Sequence, residues 1–191
     1  MGNLLEKFRR ILVANELSGD LSLAYRFSDP DGVRTGKSGW SFGVCQFDLA
    51  NNGAAAQCLR DCGFDPATIL ALISQKIPVR DVFELGQRLF DHAWIVDAWD
   101  KTEMERTLAH VRTTFEEAGL AIDERTSLHL CDYHNQFGLA PRGKCVRYML
   151  ALGRPITAED VLRYKDTTLW GQKRPDDVKR RWRNVEKECA A

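Results

Sequence analysis

The stretch Gly36-Lys37-Ser38-Gly39-Trp40-Ser41-Phe42-Gly43-Val44-Cys45-Gln46-Phe47-Asp48 decides the fold when it is read together with Glu16, twenty residues before it. Glycine, serine and aromatic residues alternate there, too polar and too glycine-rich for an ordinary core segment, so the stretch reads as an ordered loop or small β-hairpin. Upstream, Asn3 to Asn15 reads as a helix, with Leu4, Leu5, Phe8, Ile11 and Leu12 at three- and four-residue spacing on one face. Ser18-Gly19-Asp20 stops it, so Glu16 sits at its end. A helix end holds a carboxyl rigidly while a hairpin folds back to face it. That arrangement suits a glycosidase, which places an acid on one side of a sugar and a polar wall on the other.

Outward from this core, two turn clusters, Ser28-Asp29-Pro30-Asp31-Gly32 and Thr35-Gly36-Lys37-Ser38-Gly39, separate the short aromatic runs Leu23 to Phe27 and Trp40 to Phe47. If residues 41–46 are extended, Ser41, Gly43 and Cys45 face one way and Phe42, Val44 and Gln46 the other. Everything after residue 50 reads as helical. Asn52 caps a helix to Cys62, stopped by Gly63, and Pro66 opens another to about Lys76. Further helices are expected over 81–99, 102–118, 124–137, 143–152, 157–165 and 175–188. Thr102 with Glu105 forms a capping box, and Gly119 and Gly138 act as stops. The expected class is α+β, mostly α, with a small N-terminal β-hairpin or loop lobe and a larger helical lobe. No repeat or low-complexity linker divides residues 1–191, so they read as a single domain.

The 191 residues carry 27 basic and 27 acidic side chains, but unevenly. Residues 141–191 hold 13 Lys/Arg against 7 Asp/Glu, a net of +6, and residues 1–140 hold 14 against 20, a net of −6. A basic end favours an anionic partner such as a membrane or cell-wall polymer. No apolar run approaches the roughly 20 residues that span a bilayer. Met1 to Val13 alternates charged and apolar residues and does not read as a signal peptide, so synthesis in the cytoplasm is expected, with action at the periplasm or cell wall after export by another route. The six cysteines, Cys45, Cys58, Cys62, Cys131, Cys145 and Cys189, read as free thiols. His129, Cys131 and His134 lie close in sequence, but no CxxC pair accompanies them, so no metal and no cofactor is expected.

Glu16 is the first candidate for chemistry. The helix dipole opposes a negative charge at that end, a setting suited to a general acid. Its partner could be Asp20, Asp29, Asp31, Ser38, Ser41 or Asp48. Turn formation is the bland account of Asp29 and Asp31, and capping that of Asp48. Cys45 reads more readily as an inert thiol than as a nucleophile.

The order of helix, glutamate, turn-rich hairpin and helical lobe resembles the lysozyme-like superfamily. Tyr25, Asp29, Gly32 and Ser41-Phe42-Gly43 are similar to elements of phage-type lysozymes, and Leu169-Trp170-Gly171-Gln172-Lys173-Arg174-Pro175 with Arg180-Arg181 resembles their closing helix. Ser41, Gly43 and Gln46, a Ser-x-Gly-x-x-Gln pattern, are instead similar to lytic transglycosylases and goose-type lysozymes, with Tyr133-His134-Asn135-Gln136-Phe137-Gly138 a loose version of a later family element. The resemblance implies a peptidoglycan hydrolase of the endolysin or secreted-effector type. Glu16 would be the general acid on the β-1,4 bond between N-acetylmuramic acid and N-acetylglucosamine. Ser41 or Asp29 would hold water or stabilise developing charge. Tyr25, Gln46, Asp48, Tyr133 and Asn135 would bind substrate, and Trp40 and Phe42 would pack against sugar faces. It also implies peptidoglycan as partner, with an immunity or inhibitor protein where the chain is an effector.

Three other readings compete. The basic helix around Arg180-Arg181-Trp182-Arg183 could lie along nucleic-acid phosphates, but the acidic remainder of the chain argues against a nucleic-acid partner. A structural protein could retain the scaffold without activity. A chitosanase or chitinase would differ only in substrate.

Overall fold

The structure is a computed structural model that describes residues 2–29, 38–75 and 79–190. Its class is α+β, mostly α, with a single two-stranded antiparallel sheet among the described residues. Pro30 to Gly32 and Thr35 to Lys37 of the expected turn clusters, and Lys76, lie outside the described residues. The chain forms two compact units, residues 16–103 and residues 1–15 with 104–191.

In the unit of residues 16–103, a 3-10 helix, Leu21–Tyr25, precedes β1 (Ser41–Phe42) and β2 (Phe47–Asp48). The register pairs Ser41 with Asp48 and Phe42 with Phe47. Then come α2 (Gly53–Asp61), α3 (Pro66–Ile73), α4 (Val79–Asp91) and the start of α5 (Ala93–Glu117). The starts of α2 and α3 fall where Asn52 and Pro66 place them. The Asn52 side chain accepts from the Ala54 N–H at 2.9 Å, and Asp65 accepts from Thr68 with Pro66 in the first turn. Phe42, Val44, Phe47, Leu59 and Leu72 are fully buried and form the core.

The other unit holds α1 (Gly2–Glu16) up to Asn15, the rest of α5, α6 (Glu124–Phe137), α7 (Lys144–Ala151), α8 (Ala158–Thr167), α9 (Leu169–Lys173) and α10 (Pro175–Cys189). Phe8, Ile11 and Leu12 are buried along the apolar face of α1 read from its spacing. The central helix α6 is buried over Leu128 to Tyr133, and there it carries a charge. Asp132 accepts from Lys165 Nζ at 2.8 Å, from Asn15 Nδ2 at 2.8 Å and from the Arg181 guanidinium. Burial opposes the Asp132 charge, yet the Lys165 ammonium and Arg181 guanidinium hold its carboxyl far below the usual range. The carboxylate thereby ties α1, α8 and α10 to α6.

Several sequence expectations are corrected. The helices expected over 81–99 and 102–118 are divided at His92, not near Lys101. The Thr102 hydroxyl bonds back to the Ala98 carbonyl at 2.9 Å inside a continuous α5, so it serves the helix interior and opens no capping box. At the true break, the His92 Nδ1–H donates to the Arg88 carbonyl at 2.9 Å, satisfying an end group of α4. Residues 43–46 form a turn between two-residue strands, so the alternating faces expected there do not exist. The 3-10 helix and α9 were not foreseen.

Candidate functional site

Glu16 is the last residue of α1, at the helix end where the sequence puts it, and is half-buried. Ser18 and Gly19 then take left-handed backbone conformations, φ 53° and 87°, and turn the chain. Asp20 caps the 3-10 helix by accepting the Ser22 N–H at 2.9 Å. That helix does two things. The Ala24 carbonyl accepts the Gly43 N–H at 2.7 Å, pinning the hairpin turn, and the buried Tyr25 donates its hydroxyl to Asp97 on α5 at 3.0 Å. Ser28 and Ser41 exchange backbone bonds of 2.8 Å and add a bridge to the hairpin.

The turn rests on a residue that the sequence reading passed over. Asp100 is fully buried and accepts the Val44 N–H at 2.8 Å and the Cys45 N–H at 2.9 Å. Burial pushes its carboxyl up to about 6, while the Cys45 and Val44 N–H groups act in the opposite sense. Gly43 is required here: its φ is 77°, and a β-carbon would come within 2.9 Å of Asp100 Oδ1 and of the Phe47 ring. Burial, and then the negative charges of Asp100, Glu103 and Glu16, push the Cys45 thiol up, so it is held protonated and is no nucleophile. Asp97, Asp100 and Glu103 fall on one face of α5 at three-residue intervals. That spacing was the signal available in the sequence, but it straddles the point where two helices were expected.

The other expected site residues divide. Gln46, at φ 53°, donates Nε2 to the Gly43 carbonyl at 2.9 Å and accepts from the Ser28 hydroxyl at 3.2 Å, so it clamps its own turn. Ser41 is buried and its hydroxyl donates to the Gly39 carbonyl at 3.4 Å. Asp48 accepts from the Gly39 and Ala50 N–H groups at 2.9 and 2.8 Å and from Asn51 Nδ2 at 2.7 Å, which is the turn-capping role. Asp29 is half-buried and directly follows the Ser28 bridge. These four residues, with Glu16 and Tyr25, share the unit of residues 16–103. Tyr133 and Asn135 lie on α6 in the other unit, where the buried Tyr133 ring packs against Phe137 and Tyr164. His129 and His134 are committed elsewhere, His129 to Glu186 at 2.8 Å and His134 to the Leu139 N–H at 3.1 Å. Among the described residues no group of three His, Cys, Asp or Glu side chains is disposed to hold a metal.

A cavity of about 390 Å³ opens in the same unit as Glu16, walled by Tyr25, Phe27, Trp40, Phe83 and Phe90. Glu16 does not line it; Tyr25 connects it with the acidic face of α5 through its bond to Asp97. Compared with known proteins, the chain matches no family model, no curated sequence and no solved structure.

Proposed function

We propose that this chain is a peptidoglycan hydrolase on a lysozyme-like scaffold, cleaving the β-1,4 bond between N-acetylmuramic acid and N-acetylglucosamine with Glu16 as general acid. One observation carries the reading. A half-buried glutamate ends the first helix, in the same compact unit as a hairpin turn built from Ser41, Gly43 and Gln46. An acid at a helix end, in one unit with a turn fixed by hydrogen bonds, suits the preorganisation that protonation of a glycosidic oxygen needs. The turn is held by buried Asp100 and by the 3-10 helix, so its backbone geometry is fixed before substrate arrives. The exposed Lys179, Arg183 and Lys187, four residues apart on α10, provide a cationic face for an anionic wall or membrane.

A lytic transglycosylase is the second reading. It is favoured by the engagement of Ser41 with Gly39, and of Asp48 with Gly39, Ala50 and Asn51. With those groups committed, a single-acid mechanism needs fewer rearrangements than a water-activating pair. The test is turbidity clearing of purified peptidoglycan by wild type and Glu16→Gln, with mass spectrometry of the products. Clearing lost at least about a hundredfold in the variant is expected for removal of a general acid. Reducing ends identify a hydrolase and anhydro-sugars a transglycosylase. Equal clearing by both proteins, or none by either on walls that a control lysozyme digests, removes the assignment.

A further inference from the structure

The aromatic cavity of the unit of residues 16–103 has no part in the chemistry assigned to Glu16. Its volume, about 390 Å³, lies in the range of small-molecule sites. The wall is made of rings: Tyr25 meets Phe90 edge to face with centroids 5.9 Å apart, and Phe83 and Phe90 are 73 % and 55 % exposed. Such walls favour a flat aromatic body, which adds offset-stacked and edge-to-face contacts that a saturated body of the same carbon count lacks. The hydrogen-bonding groups of the lining then sort into engaged and open ones. The Tyr25 hydroxyl donates to Asp97 at 3.0 Å and Gln87 Nε2 to Asp91 at 3.4 Å. Trp40 is 7 % exposed, yet its buried indole Nε1–H has no hydrogen-bond partner among the described residues. A buried donor left unpaired is costly, so an acceptor within the cavity is favoured. Arg26 is exposed and makes no ion pair among the described residues, although its charge reaches Asp20. No acidic side chain is among the described lining residues, so the guanidinium gives the cavity a positive bias.

We propose that this cavity binds a small aromatic carboxylate. The ring packs among Trp40, Phe83 and Phe90, and the carboxylate accepts from the Trp40 indole N–H and pairs with the Arg26 guanidinium. Each part of the lining rejects a different alternative. A neutral aromatic acceptor satisfies Trp40 but leaves Arg26 without a counter-charge. A cation is repelled by Arg26 and offers the indole N–H no acceptor. A saturated acid meets both donors but forgoes the ring contacts. The aromatic acid alone answers all three features, and the assignment does not depend on the peptidoglycan reading.

The experiment uses the whole chain and three probes of one carbon skeleton: 2-naphthoate, its neutral amide 2-naphthamide, and the saturated acid decahydro-2-naphthoate. The readout is the Trp40 indole N–H resonance, assigned by triple-resonance spectroscopy and titrated in wild type, Arg26→Gln and Phe83→Ala. Both substituted positions are exposed, so neither variant threatens folding. A saturable downfield shift of the Trp40 N–H with 2-naphthoate is expected, because the carboxylate takes up that proton in a hydrogen bond. In wild type, 2-naphthamide should bind at least about tenfold more weakly, as loss of one charged hydrogen bond implies. The saturated acid should bind about threefold or more weakly, the worth of the ring contacts. Arg26→Gln should cost 2-naphthoate about tenfold and leave 2-naphthamide unchanged, and Phe83→Ala should weaken both aromatic probes. A silent Trp40, equal affinity for acid and amide, equal or tighter binding of the saturated acid, or indifference of 2-naphthoate to Arg26→Gln or to Phe83→Ala overturns the assignment.

Discussion

Asp100 makes the stability of this protein fall as pH rises through the acidic range, against the usual behaviour of a native carboxylate. Its side chain is 0 % exposed, and burial lifts its carboxyl from an ordinary 3.8 to about 6. The folded chain therefore holds a proton on Asp100 more tightly than the unfolded chain does. Below the unfolded value both states are protonated and the stabilisation from that proton is fully present. Between about pH 4 and pH 6 the unfolded state ionises first and the contribution is lost; above about 6 both are ionised and the curve is flat. A displacement of about two pH units corresponds to about 3 kcal/mol. Asp100→Asn removes the titration while keeping the shape, at the expense of one of the two N–H bonds, since its Nδ2 cannot accept. The assay is urea unfolding of wild type and Asp100→Asn from pH 4 to pH 8, followed by tryptophan fluorescence and circular dichroism. The stability difference, wild type minus variant, should fall by about 3 kcal/mol, nearly all of it below about pH 6. A difference that stays flat, or that rises with pH, would refute both the burial of this carboxyl and its role as anchor of the hairpin turn.

Asp132 behaves in the opposite sense. Asp132→Ala leaves Lys165 and Arg181 buried without their counter-charge and should cost about 3–5 kcal/mol in the same unfolding assay. Wild type should lose its advantage over this variant as pH drops below about 4, because the Asp132 carboxyl is depressed in the folded state. Gly43→Ala forces a β-carbon into the left-handed backbone and against Asp100 and Phe47; a loss of about 1–3 kcal/mol is expected by thermal melting, with reduced wall clearing. A neutral melt for that variant would show that the turn relaxes freely and is not the fixed element proposed here.

The sequence by itself determined the elements whose signals are local. The apolar spacing of Phe8, Ile11 and Leu12 defined α1 and left Glu16 at its end, because helix period and stop residues are contiguous in the chain. Asn52 and Pro66 marked helix starts for the same reason, whereas the local pattern of Thr102 with Glu105 misled, because α5 runs through it. The glycine-rich segment announced a hairpin, though only Ser41–Phe42 and Phe47–Asp48 became strands. Tertiary structure decided the rest. Asp100 reads in the sequence as a polar residue in a gap between helices. Its burial, its raised affinity for a proton and its grip on Val44 and Cys45 arise from a loop more than fifty residues away. Nothing local in the sequence marks Asp132, and only folding brings Asn15, Lys165 and Arg181 to it. Ser41, Gln46 and Asp48 were visible as polar residues, but their commitment to neighbouring carbonyls and amides follows from the turn geometry. Capping, period and turn composition are encoded by neighbours along the chain. Desolvation and charge pairing depend on which distant groups exclude water from a side chain, and that is fixed only when the core closes.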